Sequence, residues 1–293
     1  MHGWIILDKP LGLGSTQGVS AVKRALRDGK YGKFKVGHGG TLDPLATGVL
    51  PIALGEATKL AGRMLDSDKV YDFTIGFGVE TDTLDLEGKE IATSDVRPTL
   101  AEVEAVLPRF TGPIEQVPPA YSALKVDGER AYDLARAGEE VKLASRAVTI
   151  HDLTIEGQGA DSVTLRAHVS KGTYIRSLAR DIAKALGTVG HVTMLRRVKA
   201  GPFTLESAIS LDKLDEAANG RTLEQILLPL RAGLDDIPAL SLTPDQAGLL
   251  RQGQVLAGIA KEDGQYFACL EDTPIALVEA LSGHIRVVRG FNI

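Results

Sequence analysis

Two segments far apart in the chain alternate apolar and polar side chains, and they constrain the fold more than any other feature. Tyr71, Phe73, Ile75 and Phe77 are separated by Asp72, Thr74 and Gly76. Val163, Leu165, Ala167 and Val169 are separated by Thr164, Arg166 and His168. A period of two marks a strand with one buried face and one solvated face. Trp4 to Leu7 is a shorter apolar strand, ended by Lys9-Pro10. Helical signals lie among these strands. Ser15 or Thr16 caps a helix through Val19, Val22 and Leu26. Thr99 and Glu102 form a capping box that opens a helix to Leu107. Ile175, Leu178, Ala179, Ile182 and Leu186 have helical spacing, and Gly187 ends that helix. Strands and helices mix without a regular βαβ repeat, which predicts an α+β fold rather than a doubly wound sheet.

Gly233, Pro238 and Pro244 mark a change of character between Leu230 and Pro244. The short apolar runs Tyr266 to Leu270, Ile275 to Val278 and Ile285 to Val288 follow it, and predict a small β-rich C-terminal domain. The expected division is residues 1–236 and 237–293.

Composition narrows the function classes. The 293 residues are 44% apolar, enough for a sizeable core. Cys269 is the single cysteine, so an intrachain disulfide and a Cys-based zinc site are both excluded. A lone cysteine fits a reducing compartment. No apolar stretch approaches the roughly 20 residues a membrane helix needs. Met1 to Lys9 lacks the basic and apolar regions of a signal peptide. The expectation is a cytoplasmic protein without membrane contact.

The formal net charge of -5 argues mildly against a nucleic-acid partner, but the positive charge is local. Lys23, Arg24, Arg27, Lys30, Lys33 and Lys35 face only Asp28 within their run. Lys171, Arg176, Arg180, Lys184, Arg196, Arg197 and Lys199 face only Asp181. Each run alone reads as a solvated face. Together they predict a basic groove suited to phosphates.

The segment from Val36 to Pro51 is the richest in chemistry. Gly37, Gly39 and Gly40 surround His38 and predict a loop that lets backbone approach a ligand closely. Asp43-Pro44 follows and by itself is a turn dipeptide. Gly12-Leu13-Gly14 does not make a dinucleotide fingerprint, because Gln17 stands where the last glycine belongs.

Six motifs occur in order along the chain. The first is Lys9-Pro10 with Gly12 and Ser15. The second runs from His38 to Pro51 and on through Leu54-Gly55-Glu56-Ala57-Thr58-Lys59. The third is Lys69-Val70-Tyr71 with Thr81-Asp82-Thr83, Asp85 and Gly88. The fourth is Gln116 to Lys125 with Gly128, Tyr132, Ala135, Arg136 and Gly138. The fifth is Lys171 to Asp181, and the sixth is Leu195-Arg196-Arg197 with Gly201 and Phe203. Through them nearly the whole chain resembles the tRNA pseudouridine-55 synthase family of the TruB type. Gly39 stands where that family has alanine or threonine, and Thr16-Gln17 replaces a histidine- or asparagine-containing pair. Both departures bear on loop shape.

The resemblance implies a pseudouridine-synthase fold with a mixed, largely antiparallel central sheet flanked by helices, and a short PUA-like C-terminal domain. It implies isomerisation of uridine 55 in the T loop of tRNA. That reaction is redox-neutral, so no nicotinamide, flavin, metal or other cofactor is expected. Asp43 is the implied nucleophile, and Arg176 the guanidinium that favours its ionised form. Arg176 by itself reads equally well as a phosphate-binding arginine. Tyr71 is implied to stack on the uracil, although alternation alone makes it a core tyrosine. The base must be flipped out of folded RNA. His38 is the expected wedge. Lys9 and Leu195 are expected to support the pocket, and Tyr174 and Lys171 to bind substrate beside Arg176. Recognition of the T arm reads loop shape. The chain lacks the lysine-rich tails of the RNA-guided relatives, so no guide RNA is expected. No strand edge or apolar helix face is obviously left over, so a monomer is expected.

Overall fold

The computed structural model describes residues 1–293. Its largest element is a ten-stranded sheet. The main path runs Leu228–Pro229, Gly3–Lys9, Ala46–Leu54, Gly190–Ala200, Lys69–Phe77, Ser162–Val169, Arg146–Gln158 and Gly112–Gln116. Two short strands, Val36–His38 and Phe203–Thr204, pair off this path. One pairing is parallel, between Ala46–Leu54 and Gly190–Ala200, and all the others are antiparallel. The sheet is therefore two antiparallel halves joined along one parallel seam. At the seam Leu195 lies opposite Ala46 and Arg197 opposite Gly48.

The two alternating segments are neighbours in this sheet, with Tyr71 opposite Ala167 and Phe73 opposite Leu165. Their apolar faces pack against helices Leu100–Val106 and Ile175–Ala185. In the other half, Ile5, Leu7, Leu50 and Ile52 pack against helices Ser15–Asp28 and Leu211–Asn219. Tyr71 and Leu195 are half-buried and touch both cores, so they stand where the two halves meet.

The Gly3–Lys9 strand is covered on both faces. Trp4 and Ile6 point away from the helices into a third core, which includes Phe267, Leu277 and Phe291. These last residues belong to the C-terminal region, a five-stranded sheet ordered Ala239–Ser241, Gly264–Leu270, Thr273–Leu281, His284–Gly290, Leu256–Ala257. That sheet thus packs against the back of the first half while keeping a core of its own. Trp4 is fully buried, and its indole N–H donates to the Leu230 carbonyl at 3.2 Å. Truncating such a side chain to alanine costs about 3–5 kcal/mol.

Two local features differ from the sequence expectation. Ser15 is the first residue of its helix and Gly14 is the cap, with Gln17 Oε1 accepting from the Gly14 N–H at 2.8 Å. The Ser15 hydroxyl is engaged elsewhere, with Leu42. Gly37 and His38 are not loop. They form a short strand against Ala53 and Ile52, because neighbouring strand edges offer partners that outweigh the glycines' low strand propensity. The break comes only at Gly39 and Gly40. A Cβ on Gly39 would lie 2.6 Å from Met64 Cβ, so this sequence holds a glycine where a larger residue would need room.

Candidate active site

After His38 the chain leaves the sheet and re-enters as the antiparallel neighbour Ala46–Leu54. Asp43 sits on that connection. The loop is held from below by side chains whose polar atoms are spent on its backbone. The Ser15 hydroxyl donates to the Leu42 carbonyl at 2.9 Å and accepts from the Leu42 N–H at 2.7 Å. The Gly12 N–H donates to the Pro44 carbonyl at 2.7 Å. Asp43's own carbonyl accepts from Ala46 N–H at 2.9 Å, which closes the turn.

Two buried cations complete the support. Lys9 has no exposed surface. Its ammonium donates to the carbonyls of Pro10, Leu13 and Pro44, tying the first strand to the residue after Asp43. Burial lowers its pKa to about 8, opposed by the Asp43 charge and aided by Arg197. Arg197 is likewise buried, and donates to Val49 (2.8 Å), Gly40 (3.1 Å) and Thr41 (3.3 Å). Gly48 is the point of closest approach at the seam. It has φ of 104°, and a Cβ there would collide with the Arg197 backbone, so only glycine fits.

Arg176 reaches Asp43 from the helix Ile175–Ala185. Its Nε lies 3.3 Å from Asp43 Oδ2. Its two terminal nitrogens donate to the carbonyls of Thr83 and Tyr121, each at 2.9 Å. The guanidinium fork is therefore fully engaged, and its side chain is only 9% exposed against 46% for Asp43. This asymmetry is what an ion-pairing role for Arg176 requires. The arginine's nitrogens are turned to protein partners, whereas the carboxylate it holds faces open space.

The start of that helix is itself fixed. Gln116 exchanges two hydrogen bonds with the Tyr174 backbone, at 2.8 and 3.1 Å. The Ser177 hydroxyl donates to the Val117 carbonyl at 2.8 Å, and Arg180 donates to the same carbonyl at 2.9 Å.

Asp43 and Arg176 open onto a cavity of about 250 Å³. Its wall is largely apolar, with Leu45, Leu86, Val192, Met194 and Leu195. Such a volume suits a flat ring of nucleobase size. Asp85 is its second carboxylate. It is buried, and its Oδ1 accepts from the Thr83 hydroxyl at 2.5 Å and from the Glu87 N–H at 2.9 Å. Since the Thr83 carbonyl in turn holds Arg176, Asp85 braces the turn that braces the arginine.

The residues expected from sequence are placed unequally. Asp43, Arg176 and Leu195 line one cavity. Tyr71 lies on the adjacent strand with its backbone opposite Arg197, at the junction of the two cores, but is not itself in the wall. Lys9 lies beneath the loop with no surface for a substrate, because its three carbonyl partners enclose it. His38 is half-buried, and its Nδ1 is buried without a partner. Burial first and the Arg197 charge second lower its pKa, which favours a neutral ring. Tyr174 packs near Arg146 with its backbone held by Gln116. Lys171 is exposed and paired with Asp66 at 2.9 Å. Asp85 and Arg197 had no supporting role assigned from sequence, and Ser15 was expected as a helix cap. Asp85 was visible only as a motif member, and Arg197 as one charge in a basic run and a member of the sixth motif.

A sheet built on a single parallel seam, with an ion-paired aspartate held over an apolar cavity at that seam, defines a fold-and-site class that comparison identifies. The model for the TruB family pseudouridylate synthase N-terminal domain matches residues 27–175. The tRNA pseudouridylate synthase B C-terminal domain model matches residues 176–235. The chain belongs to the TruB family of pseudouridylate synthases. It is 69% identical to the tRNA pseudouridine synthase B of Novosphingobium aromaticivorans, over 100% of this chain and 98% of that protein. It is 62% identical to that of Zymomonas mobilis, over 100% of this chain and 96% of that one. Among solved structures, a chain from an H/ACA RNP bound to a substrate RNA containing 2′-deoxyuridine superposes with a TM-score of 0.76. It shares 24% identity, over 99% of this chain and 85% of that one, and so supports the pseudouridine-synthase fold. No helix is long and apolar enough to cross a membrane.

Proposed function

We propose that this protein is an isomerase that converts uridine 55 in the T loop of tRNA to pseudouridine, with Asp43 as its nucleophile. The observation that carries the mechanism is the unequal pair of a locked Arg176 and an open Asp43 at the mouth of an apolar cavity. In the reaction the bond from N1 of uracil to C1′ of ribose breaks. The ring turns, C5 bonds to C1′, the C5 proton is released, and N1 takes up a proton. Asp43 attacks the substrate as a carboxylate, and the bond it forms is broken again as the product forms. Arg176 fixes the direction of the carboxylate, since its other donors are held by two backbone carbonyls. The cavity receives the flipped base, whose unstacking costs a few kcal/mol recovered in the pocket. Tyr71 supports the base from the adjacent strand, and His38 occupies the space it leaves. The exposed cations Lys23 to Lys35, with Lys171, Lys184 and Lys199, hold the phosphates of the T arm. The enzyme acts as a cytoplasmic monomer, without a guide RNA, a metal or another cofactor in the reaction. Residues 237–293 form its short PUA-like domain.

The test uses unmodified tRNA with tritium at C5 of its uridines. Release by the wild type and not by Asp43→Asn is the expected outcome. Release by both would remove Asp43 as nucleophile. Release by neither, with tRNA still bound, would replace the isomerase reading with an RNA-binding one.

A further inference from the structure

On the solvated face of the large sheet, opposite the helix that carries Arg176, three side chains converge. Val163, Leu165, Ala167 and Val169 point into the core, so His168 points outward. The neighbouring strand Arg146–Gln158 carries a bulge. Its register shifts between Ile150, opposite Val169, and Asp152, opposite His168, which leaves His151 as the extra residue. A bulge re-aims a side chain, and here it turns His151 toward His168. Asp68 immediately precedes the strand Lys69–Phe77, whose Val70 pairs with His168. Its backbone carbonyl is anchored by the Gly201 N–H at 3.0 Å.

The geometry is compact. Asp68 Oδ2 lies 3.2 Å from His151 Nε2 and 3.7 Å from His168 Nε2. The two rings have centroids 4.8 Å apart and are inclined at 52°. One donor atom from each residue lies within 4.8 Å of the other two. Ligands bound tetrahedrally at zinc distances are separated from one another by about 3.3 Å, from bond lengths near 2.0–2.2 Å. The three side chains therefore need only small rotations to close on one ion. Two imidazoles and a carboxylate suit a zinc-class cation, whereas calcium and magnesium favour all-oxygen sites. The backbones are already fixed by the sheet, so binding orders little beyond three side chains. None of the three lines the cavity at Asp43.

We propose that Asp68, His151 and His168 form a three-ligand site for a divalent transition-metal cation of the zinc class, which ties together three neighbouring strands. The site is independent of the isomerisation and takes no part in it. A bound ion stabilises the folded state by mass action, because the unfolded chain does not hold the three donors together.

The test uses tag-free full-length protein stripped with a chelator, titrated with zinc chloride by calorimetry and by thermal melting. The expected result is saturable binding of one zinc per chain and a Tm rise of about 5 °C at saturating zinc. His151→Ala and His168→Ala should lose that rise while keeping the metal-free Tm and the tritium-release rate. Cobalt(II) gives a measurement that needs no variant. A tetrahedral, nitrogen-ligated visible spectrum in the wild type supports the site, and a spectrum unchanged from the aqueous ion overturns it. The proposal also fails if zinc leaves the wild-type Tm unchanged, or if one-to-one binding survives in the His151→Ala/His168→Ala double variant.

Discussion

The two basic segments of this chain carry similar charge and end in opposite roles. From Lys23 to Lys35 every lysine and arginine is exposed, and the one ion pair, Arg27 with Asp28, is open to solvent. Such a pair contributes about 0–1 kcal/mol and leaves its charge available to a partner. Between Lys171 and Lys199 the four arginines are instead built into the structure. Arg176 and Arg197 hold loop carbonyls, Arg180 holds Val117, and Arg196 makes a bidentate pair with Asp8 at 3.0 Å. The lysines of that run, Lys171, Lys184 and Lys199, remain exposed. A planar fork with five donors can satisfy several fixed carbonyls at once, which an ammonium on a flexible stem does less well. Arginine builds this site, while the lysines of both runs stay in solvent.

This contrast predicts a graded series of effects. Arg197→Met should be the most damaging. It leaves the buried carbonyls of Gly40 and Val49 without this donor, at about 1–3 kcal/mol for each one left unsatisfied, and frees the partly buried Thr41 carbonyl. Urea unfolding should report the loss, and tritium release should fall with it. If Arg197→Met is as stable as the wild type, the buried arginine is not what holds the loop.

Arg176→Lys should come next. The charge remains but the fork is lost, so Asp43 is no longer aimed, and turnover should fall by roughly 100-fold. KM for tRNA should change little, since the residue is shielded from substrate. A change confined to KM would return Arg176 to the phosphate-binding role.

Lys9 gives a smaller, pH-dependent effect. Its folded pKa of about 8 lies below its ordinary value of 10.5. Between those limits the unfolded chain binds more protons than the folded one, so this lysine makes stability rise with pH across that window. Lys69, also near 8 through burial, acts in the same direction. Denaturant melts from pH 8 to 10.5 should show a shallower rise, or a steeper fall, in Lys9→Met than in the wild type. An identical slope in the two proteins would show that Lys9 titrates normally.

The smallest effect on the protein itself belongs to the first basic run. Lys23→Ala/Arg24→Ala should leave stability within about 0.5 kcal/mol and kcat unchanged. It should raise KM for tRNA and reduce the salt dependence of binding by about one unit of slope for each phosphate contact removed. An unchanged salt slope would exclude that face from the RNA interface.

Much of this was legible before folding. Alternation at Tyr71 to Phe77 and Val163 to Val169 located two central strands, because side-chain direction in a strand is set locally by the backbone. The capping box at Thr99 and Glu102 marked its helix for the same reason, and the structure forms both of its hydrogen bonds. The six motifs identified the family and singled out Asp43. The roles of the supporting side chains were not legible. Arg196 and Arg197 are adjacent and chemically identical, yet they face opposite sides of a strand. One meets Asp8, and the other is buried under Gly40 and Thr41. Ser15 looked like a helix cap and is a clasp on Leu42. His151 reaches His168 only because one strand bulges. Local periodicity and motif order determined the strands, the helices and the candidate carboxylate, since those depend on neighbours in sequence. Only the tertiary structure decided which charges are buried as supports and which stay in water, because a side chain's partners there are backbone groups far along the chain.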